Sequence, residues 1–225
     1  MKYMMLSLSR RLGVLSAMDS FKFVAHRLRV RSANAQFRAR YPEFPVPPED
    51  VAFDAFNSID WYRYRDQGLK HASCFAEIIN QVCEVAEKPL RVLEWGCGPG
   101  RLIRHMGDLL RPEGTELFGT DYNASSVAWC EKVISDASFC VNQSMPPLPY
   151  GNDSFDATYN FSILTHLSME SQRAWVKELY RVLRPGGVLI TTTHGANYSH
   201  LMTSRKEKDA FARGEVVVQA GYAEG

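Results

Sequence analysis

Two hydrophobic periods alternate along the middle of the chain. Short apolar runs, such as 91–95 and 155–161, have the length and composition of buried β-strands. Between them, apolar residues recur every three or four positions, as they do from Arg101 to Leu110, which predicts amphipathic helices. This alternation predicts an α/β protein with a mostly parallel sheet. The expected strands are 91–95, 116–120, 138–141, 155–161 and 188–193.

Helical patterns precede and follow this region. Asp60 is positioned to cap a short helix, which Gly68 is expected to break. The apolar stripe at 69–83 predicts another helix, and a proline-rich hinge at 41–48 ends the first helix of the chain. We therefore expect four segments: a basic helical arm with its hinge (1–45), a helical lead-in or lid (46–90), the sheet-forming core (91–195), and a polar helix with one strand (196–225).

Positive charge is concentrated at the amino end. Residues 1–40 hold nine Lys or Arg and one acidic residue, whereas the rest of the chain holds 17 bases and 24 acids. In a helical arm, one face would carry Phe21, Val24, Ala25 and Leu28. Such a helix suits an anionic membrane surface or an acidic partner, or else it lies on the chain's own acidic body. Aromatic residues are not interleaved with these bases in a recognisable module, so a nucleic-acid partner is not expected.

Composition narrows the class of protein. With 225 residues, 45% of them hydrophobic, the chain can bury one sizeable core. Its five cysteines are odd in number and form no C-x-x-C pair, which is typical of a reduced cytoplasmic protein. The sequence has no apolar run of about 18 residues, so no membrane span is expected. It has no convincing cluster of His, Cys and carboxylates, so no metal site is expected.

Three alternate glycines, Gly96, Gly98 and Gly100, lie between the first strand and a helical pattern. Glycines at such a turn leave the backbone bare for a ligand, although a plain turn is the alternative. The spacing is one residue shorter than the dinucleotide fingerprint, which favours a nucleoside-bearing ligand without phosphates. Asp121 ends the second strand, where a carboxylate can accept both hydrogens of a ribose diol; a solvated turn aspartate is the alternative.

Four blocks, in this order along the chain, are similar to those of class I S-adenosylmethionine-dependent methyltransferases of the type 11-like group. They are 92–101, which contains the glycine run, 118–121, which ends in Asp121, 148–156 and 183–187. The resemblance implies a Rossmann-like, doubly wound sheet with helices on both faces, and S-adenosylmethionine as the cofactor. It further implies that the glycine run holds the methionine end of the cofactor, Asp121 the ribose, and the segment before 148 the adenine.

The residues expected to bind the cofactor are Tyr64, Glu94, Gly96, Cys97, Gly98, Gly100, Asp121, Tyr122, Asn142, Gln143 and Asn160. Tyr64 is included because similar methyltransferases cover the cofactor with a lead-in segment, from which a tyrosine or arginine reaches the methionine carboxylate. The adenine segment departs from the family's pattern, since 141–147 contains no carboxylate. Asn142 or Gln143, Ser144, or backbone groups must then accept from the adenine amino group.

Residues 162–167 closely resemble a sequence common in methyltransferases of sugar and cell-surface polysaccharide pathways. The expected activity is direct methyl transfer to a hydroxyl of a small molecule or a glycan, for which a base must take the hydroxyl proton. His166 and His194 follow the fourth and fifth strands and are the candidate bases, His166 first; hydrogen-bonded loop residues are the alternative. The alternative functions are an inactive binding or regulatory subunit and a nucleotide-linked oxidoreductase.

The carboxyl end of the chain is short for this family. Roughly 30 residues follow the fifth strand, where similar methyltransferases have two further edge strands. We expect a sheet whose edge is incomplete, either because the chain is truncated or because a partner, such as a second copy of the chain, completes it.

Overall fold

The computed structural model describes residues 14–83, 89–111, 113–202, 204–215 and 217. Its strands are β1 (Arg91–Trp95), β2 (Glu116–Asp121), β3 (Ala137–Val141), β4 (Phe155–Asn160) and β5 (Leu183–Thr191). Its α-helices are α1 (Val14–Arg40), α2 (Glu49–Phe56), α3 (Trp61–Val82), α4 (Met106–Leu109), α5 (Ala124–Val133), α6 (Met169–Val182) and α7 (Arg205–Ala212). Short 3-10 helices lie at Ile103–His105, Leu164–His166 and Ala196–Leu201.

The strands form one parallel sheet in the order β3-β2-β1-β4-β5. Their carboxyl ends therefore meet at one edge, where Trp95 pairs with Thr120 and Asn160 pairs with Thr191. From β1, the chain adds β2 and β3 on one side and then β4 and β5 on the other, so the strand order reverses at β1. Open α/β sheets bind ligands outside the carboxyl ends of the strands at such a point. The predicted α/β, Rossmann-like fold is confirmed.

Helices cover both faces of the sheet. On one face, α3, α4 and α5 pack against a cluster that includes Val92 and Tyr159. On the other face, Trp175 of α6 packs with Leu93 and Trp95 of β1. Successive residues of β1 thus point to opposite buried layers, which explains why its apolar run is continuous rather than alternating.

Two element boundaries differ from the sequence expectation. β5 begins at Leu183 rather than at 188, because Leu183 already pairs with Phe155 before residues 184–187 form a bulge. The helix expected from Arg101 begins as a 3-10 turn and becomes α-helical only over Met106–Leu109. The first turn after the glycine run is therefore tighter than its apolar spacing predicts.

The expectation that Gly68 breaks the lead-in helix is wrong. α3 is continuous from its cap at Asp60, whose side chain accepts from the N–H of Arg63 at 3.0 Å. A Cβ at Gly68 would lie 2.4 Å from the backbone oxygen of Arg101. The glycine is therefore required by the close approach of α3 to the chain that leaves the glycine run.

We expect Gly68→Ala to lower the free energy of unfolding by about 1–3 kcal/mol, because the added methyl group meets backbone that cannot move aside cheaply. Helix propensity alone predicts the opposite sign, a gain of about 1 kcal/mol. Urea unfolding measures the difference. Gly151→Ala is the matched control, because its Cβ would meet only Ser154 Oγ at 3.6 Å. Equal stability of Gly68→Ala and the unsubstituted protein would contradict the observed packing.

The basic helix α1 lies on the body of the protein. Its inner face buries Val30, Asn34 and Phe37 in an aromatic cluster shared with α2 and α3. The Asn34 side chain donates to the oxygen of Ile59 at 2.7 Å and accepts from the N–H of Trp61 at 3.1 Å. The described part of the arm therefore packs on the protein itself, which was one of the alternatives left open by the sequence. The apolar face predicted from Phe21, Val24, Ala25 and Leu28 is a different one, and it is exposed.

The polar helix after the core is confirmed as α7, which begins with a capping box between Ser204 and Glu207. The predicted strand at 215–220 lies almost entirely outside the described residues, as do the first 13 residues of the arm. Within the described sheet, β5 is an edge strand.

Candidate cofactor and acceptor site

The loop after β1 turns at three left-handed glycines. Gly96, Gly98 and Gly100 have φ values of 76°, 52° and 76°, a region that side chains with a Cβ rarely adopt. The N–H groups of Gly96 and Cys97 donate to the oxygen of Thr120 at 2.7 and 2.9 Å. These bonds fix the loop against the end of β2, at the point where the strand order reverses.

The Asp121 carboxylate is joined to this loop. It is 7% exposed, and its Oδ2 accepts from the N–H of Gly98 at 2.8 Å while its Oδ1 accepts from the N–H of Asn123 at 2.8 Å. Burial raises the pKa of Asp121, and the two N–H donors oppose that shift. Each carboxylate oxygen has a second lone pair, so both retain an acceptor position for a ligand hydroxyl.

Tyr64 and Cys97 support the loop from the protein side. Tyr64 is buried, its hydroxyl donates to the oxygen of Pro99 at 2.8 Å, and Arg104 donates to that hydroxyl at 3.2 Å. This geometry favours a positioning role for Tyr64 over the predicted contact with a cofactor carboxylate. The Cys130 thiol and burial raise the pKa of Cys97, which suits a small packed residue rather than a reactive thiol.

Residues outside the predicted site lie next to the glycine loop. A Cβ at Gly96 would lie 2.4 Å from Ile163 Cδ1, and one at Gly98 would lie 3.6 Å from the Cβ of Ala55. Asn123 also donates to the Asp54 carboxylate at 3.2 Å, which ties α2 to the turn after β2. The segment after β4 and helix α2 therefore border the glycine loop, and no local pattern in the sequence marks that contact.

A buried acid and a nearby cation lie below the loop. Glu94 is 2% exposed and accepts from the Tyr159 hydroxyl at 3.0 Å. Burial raises the pKa of Glu94 to about 8, against the opposing effects of Tyr159 and Arg101. The Arg101 guanidinium lies 5.7 Å from the ring centre of Phe56 and 5.1 Å from that of Phe161. Burial lowers the pKa of Arg101, and the Glu94 charge opposes that shift.

The segment predicted to read adenine presents one buried acceptor. Asn142 is 7% exposed, its N–H donates to the oxygen of Asp121 at 3.0 Å, and its Nδ2 donates to the oxygen of Gln143 at 2.7 Å. Asn142 Oδ1 is buried and has no hydrogen-bond partner among the described residues. The side chains of Gln143 and Tyr122 are exposed. Among the groups predicted to accept from the adenine amino group, the Asn142 side chain is the one with a buried and unpartnered oxygen.

Asn160, at the carboxyl end of β4, is fully buried. Its Oδ1 accepts from the Thr191 hydroxyl at 2.9 Å, which fixes the orientation of the amide. Its Nδ2 is buried without a partner among the described residues. Asn160 therefore keeps a free donor next to the loop that follows β4.

The two predicted histidines are brought near each other. His166 ends the 3-10 turn after β4, and His194 follows β5. The N–H of Ser162 donates a hydrogen bond of 2.7 Å to Thr192 Oγ1, which joins the two loops. The His194 ring is stacked on Tyr198, with ring centres 3.5 Å apart. Burial lowers the pKa of His194, and the His166 charge lowers it further.

The stretch of chain that builds this site is similar to a known family of domains. Residues 93–191 match the methyltransferase domain family, and they include the glycine loop, Asp121 and the ends of β4 and β5. This match supports, for these residues, the resemblance to class I S-adenosylmethionine-dependent methyltransferases. The family's cofactor is S-adenosylmethionine, as the resemblance implied. The sugar-pathway subgroup stays a prediction.

Known relatives of this methyltransferase domain act on different acceptors. Malonyl-[acyl-carrier protein] O-methyltransferase of Enterobacter lignolyticus is 35% identical over 112 residues, which are 50% of this chain and 42% of that enzyme. The 18S rRNA (guanine-N(7))-methyltransferase of Bos taurus is 23% identical in an alignment 192 residues long, which covers 80% of this chain and 66% of that enzyme. The chain thus spans less than two thirds of the length of either relative.

The fold is also found in solved methyltransferase structures. S-adenosylmethionine-bound CalS10, an amino pentose methyltransferase from Micromonospora echinaspora, matches with a TM-score of 0.50 and 22% identity. The match covers 60% of this chain and 54% of that one. It supports the architecture of the sheet and its helices.

Metal clusters and membrane-spanning helices are both absent from the described ranges of the chain. No three His, Cys, Asp or Glu side chains within them come together as a metal site requires. None of the described helices combines the length and hydropathy needed to cross a bilayer.

Proposed function

We propose that this chain is an S-adenosylmethionine-dependent methyltransferase that transfers a methyl group to a hydroxyl of a small molecule or a glycan. The observation that carries the proposal is the Asp121 carboxylate, bound to the N–H of Gly98 within a loop of three left-handed glycines. A carboxylate and a bare backbone at the same strand end suit a ribose together with the adjacent sulfonium arm.

The described residues fit this cofactor. The unpartnered Oδ1 of Asn142 suits the adenine amino group, and the second lone pairs of Asp121 suit the ribose hydroxyls. The glycine loop borders the methionine end, near Glu94 and Arg101. When bound, S-adenosylmethionine supplies an electrophilic methyl group. The chain then has to align the acceptor with that methyl group, exclude water and accept a proton.

Arg101, rather than Tyr64, is the residue that we assign to the methionine carboxylate. It directly follows the glycine loop, and its guanidinium lies near the rings of both Phe56 and Phe161. The hydroxyl of Tyr64 already donates to Pro99. A partly buried guanidinium forms strong hydrogen bonds with a carboxylate, and the two flanking rings limit its mobility.

We expect Arg101→Gln to weaken S-adenosylmethionine binding about 10- to 100-fold, because a charge-assisted hydrogen bond contributes about 1.5–3 kcal/mol. Calorimetric titration measures the dissociation constant. Arg173→Gln is the matched control, since Arg173 is an exposed base on α6. An unchanged dissociation constant in Arg101→Gln would remove Arg101 from the cofactor site and leave the rest of the proposal intact.

The paired histidines support a hydroxyl acceptor. A hydroxyl must lose its proton as the new bond forms, and a neutral imidazole is a suitable base near neutral pH. The lowered pKa of His194 keeps its ring neutral there, and its stacking on Tyr198 restricts the ring. His166 is the base favoured by the sequence, and its influence on His194 supports a shared role at one edge of the site.

Two measurements separate this proposal from its alternatives. Equilibrium binding of S-adenosylmethionine and of NAD to the full chain is compared first, and we expect binding of the former alone. A preference for NAD would instead support a nucleotide-linked oxidoreductase. Transfer of labelled methyl to a panel of glycans and small hydroxyl compounds is measured next. Cofactor binding without any transfer would favour an inactive binding subunit.

A further inference from the structure

Helix α1 has two opposite faces. The face that packs on the protein carries Val30, Asn34 and Phe37, each less than a tenth exposed. The opposite face carries Phe21, Val24 and Leu28, which are 74%, 52% and 66% exposed. Their spacing of three and four residues puts these large apolar side chains side by side along one line of the helix. We call this line the outer stripe.

The outer stripe continues toward the end of α1 with small residues. With about 100° of rotation per residue, positions 25, 32, 35 and 39 lie on the same side as Phe21 and Leu28. They are Ala25, Ser32, Ala35 and Ala39, and all are exposed. From residue 21 onward, the outer side of α1 thus carries its large side chains first, and no charged side chain lies along its centre over residues 21–40.

Basic residues border the outer stripe on both sides. The same rotation puts Lys22, Arg29 and Arg40 along one border and Arg27, Arg31 and Arg38 along the other. No Asp or Glu occurs between residues 20 and 40. Arg27 also forms an ion pair with Glu49 at 2.8 Å, yet its side chain remains 63% exposed. An apolar line between two cationic rows is the pattern of a helix that lies in a membrane interface.

The charge pattern distinguishes between the partners that could bind the outer face of α1. Two copies of the chain that met through their outer stripes would set cationic rows against cationic rows, which is unfavourable. A nucleic acid would match the rows but would leave Phe21, Val24 and Leu28 in water. Anionic phospholipids match both parts, because acyl chains accept the apolar residues while phosphate groups pair with the bases.

We propose that the outer face of α1 docks the protein on an anionic phospholipid surface. Phe21, Val24 and Leu28 enter the boundary between headgroups and acyl chains, and the flanking arginines lie at the level of the phosphates. The buried face of α1 stays on the protein, so docking requires no rearrangement of the aromatic cluster. The proposal is independent of the methyl-transfer activity, since it uses no residue of the cofactor site.

Vesicle flotation of the full chain tests the proposal. We expect it to float with vesicles of phosphatidylcholine mixed with phosphatidylglycerol, and to stay behind with phosphatidylcholine alone. Phe21→Ser combined with Leu28→Ser, and separately Arg31→Gln combined with Arg38→Gln, should each reduce the bound fraction about tenfold. Because all four side chains are exposed, circular dichroism should show both variants folded.

Matched controls come from α6. Tyr180→Ser removes an apolar residue that is 80% exposed, and Arg173→Gln combined with Lys177→Gln removes two exposed bases. Neither should change flotation. Equal flotation with both vesicle types, no flotation with either, or unchanged flotation of both α1 variants would overturn the proposal. Retention on a single-stranded oligonucleotide without flotation would overturn it in favour of a nucleic-acid surface.

Discussion

Replacing Asp121 with alanine is expected to weaken S-adenosylmethionine binding by about 10²–10⁴-fold. The ribose diol would lose two acceptors on a carboxylate, and each charge-assisted hydrogen bond contributes about 1.5–3 kcal/mol. The substitution also removes the acceptor for the N–H groups of Gly98 and Asn123. The loop therefore loses its link to the end of β2 at the same time. Calorimetric titration with S-adenosylmethionine measures the effect.

Two further variants separate binding from folding. Asp121→Asn keeps one oxygen acceptor but loses the charge, so its affinity should lie between those of the alanine variant and the unsubstituted protein. Asp108→Ala removes an exposed acid from α4 and should leave binding unchanged. Thermal unfolding shows which variants are folded at the titration temperature. Unchanged affinity in a folded Asp121→Ala protein would show that the ribose is bound elsewhere.

The second large effect is expected from loss of the histidine that accepts the hydroxyl proton. His194→Asn is expected to lower kcat about 10²–10⁴-fold, the usual contribution of a positioned proton acceptor. In the unsubstituted enzyme, kcat should fall as pH decreases through the pKa of His194, because the protonated ring cannot accept a proton. Burial and the His166 charge lower the pKa of His194, so this fall should lie below pH 6.5. The pH dependence of kcat at saturating S-adenosylmethionine measures both quantities.

His166→Asn distinguishes the two histidines. If His194 is the base, loss of the His166 charge should raise the pKa of His194 and move the fall in kcat to higher pH. If His166 is the base, this variant loses activity instead. His200→Asn, which removes an exposed imidazole from the following 3-10 helix, is the control. Full activity and an unshifted profile in both His166→Asn and His194→Asn would exclude an imidazole base from either position.

The sheet and the edge at which the candidate site lies were predictable because their determinants are local. The strands at 91–95 and 116–120 are bounded by glycines and an acid, so their type and order could be inferred from neighbouring residues. The meeting of Gly98 and Asp121 then follows from parallel pairing, which aligns Trp95 with Thr120. Pattern and topology together therefore specify the part of the site that β1 and β2 build.

Other features depend on contacts that sequence pattern does not contain. Gly68 was expected to break a helix, yet its role is set by the backbone of Arg101, which lies 33 positions further along the chain. The expected contact of Tyr64 with a ligand stays a prediction, and packing has brought its hydroxyl to Pro99, to which it donates, and to Arg104, from which it accepts. The predicted apolar face of the arm is exposed because Val30, Asn34 and Phe37 form a second face that binds the aromatic cluster. Each outcome was decided by tertiary packing.

The most direct test is a crystal structure of the full chain with S-adenosylhomocysteine, the demethylated form of the cofactor. We expect the ribose hydroxyls within hydrogen-bond distance of the Asp121 carboxylate, the adenine amino group at Asn142 Oδ1, and the amino-acid end against the loop at 96–100. Density for the compound at any other position, with Asp121 still bonded only to Gly98 and Asn123, would contradict the account.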